Sequence, residues 1–186
     1  MPRWEPDSRE RLVISAVQLF SEQGYDETTV AQIAGRAGVT SSTFHRHFPD
    51  KRDVLAAGQE TISRLLAEGI AAAPSDASPL EAVAVGLSRA AGAYEPERSA
   101  IIATAVATST ELQERAALKQ VGITAAIAAA LIARGFSEPL ARLAAEVGAL
   151  ALKDGFAAWV ANGTTQDLSE LMREKLDGLR ATATQL

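Results

Sequence analysis

Apolar residues return at spacings of three and four along nearly the whole chain, and the alternation of period two that a half-buried strand needs is missing. That pattern predicts helices throughout. The first has an oily stripe of Leu12, Ala16, Leu19 and Phe20, opened by Asp7 with Glu10 three residues on as a capping box, and stopped at Gly24. Thr28 or Thr29 caps a short second helix that buries Val30, Ile33, Ala34 and Ala37 and ends at Gly38. Thr40 caps a third, from Ser41 to His47, which Pro49 and Asp50 terminate, and Asp50 caps a long fourth helix from 51 to about 72.

The run PSDASP at 74–79 interrupts the pattern, yet Ser78, Pro79 and Glu81 supply a cap, a first-turn proline and a box partner, so it reads as a loop and not a tether. Further helices are expected at roughly 79–93, 97–107, 110–134, 138–161 and 165–183, divided by Tyr94-Glu95-Pro96, Gly135, Pro139 and Asn162-Gly163. The fold class is all-α, with about nine helices.

Residues 30–48, VAQIAGRAGVTSSTFHRHF, carry the most specific signal. Two helices joined by about four residues that include glycine make a helix-turn-helix, in which the first braces the second against a major groove. On the third helix Phe44 and Phe48 point one way. The opposite side carries Ser42 and Arg46, flanked by His45 and Thr43, with Ser41 and His47 nearer the boundary. Short hydroxyls and one Arg suit base edges, because Arg donates two bonds to guanine and Ser or Thr bonds any base. Lys51, at the start of the next helix, is placed for a phosphate. The competing reading of the same spacing is a helical hairpin whose polar face simply meets solvent.

Composition narrows this further. A formal charge of −5 and an isoelectric point near 5.1 argue against a chain that is basic all over, so any nucleic-acid contact is local. Within 36–52, Arg36, Arg46, Lys51 and Arg52 face only Asp50 among acids, which gathers positive charge at the candidate groove helix. There is no cysteine, so disulfides, thiolate catalysis and Cys-ligated zinc are excluded and a reducing, cytoplasmic setting is expected. The N-terminus lacks the apolar core of a signal peptide. The longest oily run, ITAAIAAALIA at 123–133, falls short of the ~20 residues of a membrane span, so no membrane partner is expected. His45 and His47, two apart on a helix, diverge by about 200° and predict no metal site. Residues 53–186 hold no phosphate loop, no H-E-x-x-H and no G-x-S-x-G, so neither a cofactor nor catalysis is expected.

The run TTVAQIAGRAGVTSSTFHRHFPDKRDVL, preceded by AVQLFSEQGYDE, closely resembles the DNA-binding domain of TetR-family transcriptional regulators over about the first 55 residues. The resemblance implies a three-helix DNA-binding domain at 1–50 and a larger helical domain at 51–186 that binds a small ligand and dimerises. Carried over by position, it implies that Ser41, Ser42, His45 and Arg46 face bases while Thr29, Thr43, His47 and Lys51 hold phosphates. This chain departs from the family where Ser41-Ser42 replaces the common Lys-Gly, and where His45 replaces a Tyr that usually lies against the DNA backbone.

In the predicted helices from 97 to 134, Arg98, Thr104, Thr108, Gln120 and Thr124 interrupt a surface of Ala, Ile and Leu, Ile102 among them. Small apolar walls with a few polar anchors are the ordinary lining of a small-molecule pocket. Close helix packing, with each Thr bonding back to its own helix, is the rival reading. The segment ERSAIIATAVATSTELQERAALK resembles the C-terminal domains of TetR-like regulators that sense acyl-CoA or similar ligands, which implies an acyl-CoA-like or other apolar effector.

The last two helices carry more oily surface than resting on a small domain requires. The family resemblance implies a homodimer through a four-helix bundle of this pair, at Val147, Leu150, Phe156, Trp159, Leu168, Leu171, Met172 and Leu176. Intramolecular core is the rival for individual residues. The expected function is a ligand-responsive repressor that binds a near-palindromic duplex operator as a dimer and is released by a small molecule. The alternative is a small all-helical enzyme or carrier with an incidental helix-turn-helix.

Overall fold

Thr29 and Thr40 open the two shortest helices. In the computed structural model, which describes residues 8–183 and 185 without the side chains of Leu55 and Ala56, Thr29 Oγ1 accepts the Gln32 amide at 3.2 Å and Gln32 Oε1 accepts the Thr29 amide at 2.8 Å. This reciprocal box starts α2 (Val30–Arg36). Thr40 Oγ1 accepts the Thr43 amide at 3.2 Å and starts α3 (Ser41–His47). Ahead of both lies α1 (Ser8–Gln23). Asp7, the expected cap of α1, lies outside the described residues.

The expected long fourth helix is in fact two elements. Asp50 and Asp53 form a capping box over a 3-10 segment, Lys51–Ala56. Only after Gly58 does α4 (Gln59–Ala72) begin. Gly58 has φ +97°, which a residue with a Cβ adopts only under strain, so the chain changes direction there and the helical period does not run through. The later helices fall close to expectation: α5 (Pro79–Ala91), α6 (Pro96–Thr108), α7 (Thr110–Ala133), α8 (Glu138–Ala161) and α9 (Leu168–Ala183). Ser78 and Glu81 form the expected box at α5. The described residues thus contain nine α-helices and no strand, an all-α fold.

Two compact units divide the described residues, the first up to 57 together with 100–117, the second 58–99 with 118 onward. The first unit buries Leu12, Ala16, Phe20, Ile33, Phe44, Phe48 and Val54, joined by Ala105 of α6 and Leu112 of α7. The second buries Leu66, Ile70, Val83, Leu87, Ile123, Ile127, Leu131, Leu152 and Met172. Within it α4 and α5 meet backbone to backbone: a Cβ on Gly69 would stand 2.6 Å from Gly86 Cα. Arg134 closes the end of α4, its Nη1 donating to the carbonyls of Ile70 (2.8 Å), Ala71 (3.2 Å) and Ala73 (2.9 Å) and its Nη2 to that of Pro74 (2.6 Å). The last turn of α4 has no basic residue of its own, so Arg134 supplies the cation that its carbonyl end favours.

Burial favours the rival, intramolecular reading for much of the expected dimer surface. Trp159, Leu168, Leu171, Met172 and Leu176 are 0–7% exposed because α9 folds back on α8 and α5 and spends these side chains on the protomer's own core. Trp159 Nε1 also donates to the Gln166 carbonyl at 2.9 Å, locking the α8–α9 turn. Phe156 is half-buried against Tyr94, with ring centroids 5.3 Å apart. Of the eight expected residues Leu150 is exposed and Val147 half-exposed. They belong to a stripe on α8, Leu140, Leu143, Val147 and Leu150 at steps of three, four and three, of which Leu140 and Leu143 were not among the expected interface residues.

Length bears on one more expectation without overturning it. By length and composition α7, 24 residues with a window of mean hydropathy 1.7, reaches what a membrane span requires. The expectation had counted only the uninterrupted oily run and overlooked that a single charged residue, Lys119, precedes it from 116 on. Ile123, Ile127 and Leu131, at steps of four, bury one face of this helix in the second unit.

Candidate nucleic-acid interface

Phe44 is fully buried and Phe48 3% exposed, with ring centroids 5.6 Å apart, so α3 is anchored along one side. The opposite side is open: Ser41, Ser42, His45 and Arg46 are all exposed. Ser41, Ser42 and Arg46 make no side-chain hydrogen bond or ion pair among the described residues, and the His45 ring stands edge-on to Phe44 at 5.4 Å. These are the four residues expected to face bases. The geometry brings them to one accessible surface on a short helix whose other face cannot turn outward without emptying the core.

The four residues expected at phosphates are differently placed. The Thr29 hydroxyl serves the α2 cap. Thr43, half-buried, pairs its hydroxyl with that of Thr40 at 3.1 Å. His47 Nε2 is 2.8 Å from Ser8 Oγ, tying the end of α3 to the start of α1. Lys51 Nζ donates to the carbonyls of Tyr25 (2.9 Å), Thr28 (3.0 Å) and Asp26 (3.4 Å) and sits 4.1 Å from the centroid of the Tyr25 ring. Each of these groups has a partner inside the unit.

Nor is the expected cluster of positive charge unpaired. Arg36 makes a two-pronged bridge to Glu22, 2.7 Å on each prong, and this hydrogen bonding holds the Glu22 carboxyl below the usual carboxylate range. Arg52 lies 3.8 Å from Glu111 and 3.9 Å from Asp50. With Lys51 turned to carbonyls, Arg46 is the one cation of the four without a partner among the described residues. Sequence reasoning had counted charges along the chain, whereas Glu22 and Glu111 reach the cluster from α1 and α7.

The pieces of α6 and α7 that belong to the first unit were missed altogether. Arg115 Nε donates to Asp53 Oδ1 at 3.0 Å, and Asp53 Oδ2 accepts the Asp50 amide at 3.1 Å. Burial, and then the charges of Glu111 and Asp50, push the Tyr25 hydroxyl pKa upward, so the phenol stays neutral. No local pattern announces an ion pair across such separations.

The six expected ligand residues are not gathered in one unit: Ile102, Thr104 and Thr108 fall in the first, Arg98, Gln120 and Thr124 in the second. The Thr hydroxyls bond back along their own helices, Thr104 to the Ala100 carbonyl, Thr108 to those of Thr104 and Ala105, and Thr124 to that of Gln120. Gln120 Nε2 donates to the Ala149 carbonyl at 2.6 Å. An open groove of about 520 Å³ over α4 and α5 is lined by Gly69, Ala72, Ala84, Val85, Ser88 and Arg89, none of the six.

Residues 12–57 match the family described as bacterial regulatory proteins, tetR family. The chain is 36% identical over 76 residues to the HTH-type transcriptional regulator TcmR of Streptomyces glaucescens, 41% of this chain and 34% of that one. It spans about a third of the length of that curated relative. Among solved structures, the fatty acid degradation regulator FadR of Bacillus halodurans covers 94% of this chain and 95% of its own with a TM-score of 0.60 at 21% identity. The transcriptional regulator FadR of Bacillus subtilis, solved in complex with stearoyl-CoA, covers 90% and 95% with a TM-score of 0.61 at 24% identity. At such identities the likeness is one of fold. Through residues 12–57, with their capped α2 and α3 and the exposed face of α3, this chain carries a segment that matches the tetR family of bacterial regulatory proteins.

Proposed function

We propose that the chain is a ligand-responsive DNA-binding transcriptional repressor, with residues 1–50 as its DNA-binding domain and 51–186 as its ligand-binding and dimerisation domain. The observation that carries this reading is the α3 face: Ser41, Ser42, His45 and Arg46 exposed together on a helix pinned by Phe44 and Phe48. Arg46 supplies the bidentate donor that a guanine edge accepts, and the serines supply short donors and acceptors. A chain whose net charge is −5 needs such a local contact rather than bulk attraction.

Two copies would present two α3 helices to successive major grooves of a near-palindromic duplex. The exposed stripe Leu140, Leu143, Val147 and Leu150 supports α8 as the contact between copies, since apolar side chains exposed at coiled-coil spacing lose the most from staying in water. The acyl-CoA held by the Bacillus subtilis FadR suggests an acyl-CoA-like or other apolar effector for this chain. Release follows if the effector prefers a dimer shape whose two reading helices no longer fit both grooves. The reading makes the chain a cytoplasmic binding protein, neither enzyme nor membrane component.

Selection of duplexes from a random library by the purified chain tests this directly. Enrichment of a near-palindrome, with binding that weakens steeply as salt rises and is reversed by stearoyl-CoA or a shorter acyl-CoA, is the expected result. Failure to enrich any sequence would remove the repressor reading.

A further inference from the structure

We propose that Lys51 is a positioning residue of the DNA-reading head: its ammonium holds the turn between α1 and α2 by three carbonyls, and so fixes Thr29 and the α2–α3 pair, instead of meeting a phosphate itself. This rests on the DNA-binding function proposed above and assigns Lys51 a role different from the one its place in the sequence suggests.

A lysine ammonium has three N–H donors and no acceptor. All three have acceptors within the protomer, the carbonyls of Tyr25, Thr28 and Asp26. The Tyr25 ring, 3% exposed, covers a further side of the charge at 4.1 Å from its centroid. A phosphate could recruit this ammonium only by stripping it from these partners, and carbonyls beyond a helix end are among the poorest groups to leave bare. The last turn of α1 has no basic residue of its own, and the carbonyls just past Gln23 are met by the Lys51 ammonium.

What the ammonium holds is the approach to α2. The Thr28 amide donates to the Tyr25 carbonyl at 3.1 Å, the same carbonyl that Lys51 grips, and Thr29 follows directly as the α2 cap. Lys51 is itself held in place. Its backbone amide is capped by Asp50, Asp50 is boxed by Asp53, and Asp53 is fixed by Arg115. A chain of polar contacts therefore runs from the first turns of α7 to Thr28, two residues before α2, with Lys51 as its last link.

The test compares wild type with Lys51→Met, which keeps the aliphatic stem, with Lys51→Gln as a second neutral variant and Lys51→Arg as the conservative one. In the DNA-free protein, hydrogen exchange at the Thr28 amide should quicken in both neutral variants at temperatures where each is fully folded, and return toward wild type with Arg. On the duplex selected by wild type, affinity should fall on the order of tenfold with the slope against salt unchanged, and Arg should recover most of it. A merely structural lysine would lower the unfolding midpoint but leave the affinity of the folded protein intact, which overturns the proposal. So does a salt slope smaller by about one per head with Thr28 exchange unaltered, the mark of a direct phosphate contact. Should wild type select no duplex, the repressor reading fails, and an unchanged Thr28 exchange would still count separately against the clamp.

Discussion

Arg115 on α7 meets Asp53 of the 3-10 segment at 3.0 Å, with side chains 27% and 22% exposed, across 62 residues of sequence. The partial shelter matters because a fully exposed pair of this kind is worth almost nothing, whereas a charge-assisted bond with most of its water removed contributes measurably. It also means that the capping box of the 3-10 segment depends on a residue from the far side of the sequence. A double-mutant cycle on Arg115→Ala and Asp53→Asn, the latter keeping an oxygen for the Asp50 amide, should return a coupling of about 0.5–1.5 kcal/mol in denaturant unfolding. Additive losses would show the bridge to be incidental.

Arg134 holds four carbonyls at and beyond the end of α4. Arg134→Met retains much of the stem but strands those acceptors, and should cost about 1–3 kcal/mol. Urea midpoints for the two proteins decide the matter. A loss below about 0.5 kcal/mol, the scatter of ordinary surface changes, would mean that water replaces the guanidinium at no cost.

Arg46 has the opposite profile, exposed and without a partner among the described residues. Arg46→Ala should leave the unfolding midpoint where it is while weakening specific DNA binding by about 1–3 kcal/mol and relaxing preference at one base pair of each half-site. Equal weakening on unrelated duplexes would reduce Arg46 to a phosphate contact.

Exposed leucines on α8 separate assembly from folding. Leu143, 65% exposed, can be replaced by Glu without emptying a core, so Leu143→Glu should give a folded monomer by light scattering. Leu171, 7% exposed, belongs to the protomer, and Leu171→Asp should cost about 3 kcal/mol or more and unfold the second unit. A dimeric Leu143→Glu protein would move the contact between copies off this stripe.

Acid should act on the α4–α5 pair through Glu68. Hydrogen bonding from Arg64, together with that from Arg89, holds its carboxyl below the ordinary glutamate value of 4.5. A depressed carboxyl stabilises the fold above its unfolded pKa, and this contribution disappears as pH falls through the folded value. Wild type and Glu68→Gln should therefore differ at neutral pH and converge below about pH 4.5. A difference that persists or widens in acid would assign Glu68 a role other than its charge.

What could be read from the sequence was what neighbours within a turn or two decide. The cap at Thr28 or Thr29, the box at Ser78 with Glu81, the cap at Thr40 and the paired Phe44 and Phe48 are all local, and the structure has them, with Thr29 as the α2 cap. The break at Gly58 was not legible, because Val54, Ile62, Leu66 and Ile70 keep an apolar pattern through it, and a lone glycine is compatible with an unbroken helix. The carbonyl contacts of Lys51 were hidden for another reason. Its position in the chain says that it starts an element but not which way its four-carbon stem swings, and the turn it reaches lies 23 to 26 residues earlier. On α8 and α9 composition gave the amount of oily surface correctly. Whether Leu171 or Leu143 ends up inside the protomer depends on how α9 lies across α8 and α5, which no periodicity encodes.

The backbone contact at Gly69 and Gly86 means that tolerance to substitution will differ sharply between glycines that look alike in sequence. At Gly58 a Cβ would meet nothing within 4 Å and the only obstacle is its positive φ, so Asn, which enters the left-handed region more readily than most residues, is the mildest replacement. At Gly69 the torsion poses no obstacle but the space does: a Cβ would lie 2.6 Å from Gly86 Cα and 2.8 Å from the Val85 carbonyl oxygen, both backbone atoms that cannot rotate away. Saturation mutagenesis should thus show a graded profile at one position and a blank column at the other. Divergence of this fold is then channelled, free to vary the side chains around the α4–α5 crossing but closed to even a single methyl group at its centre.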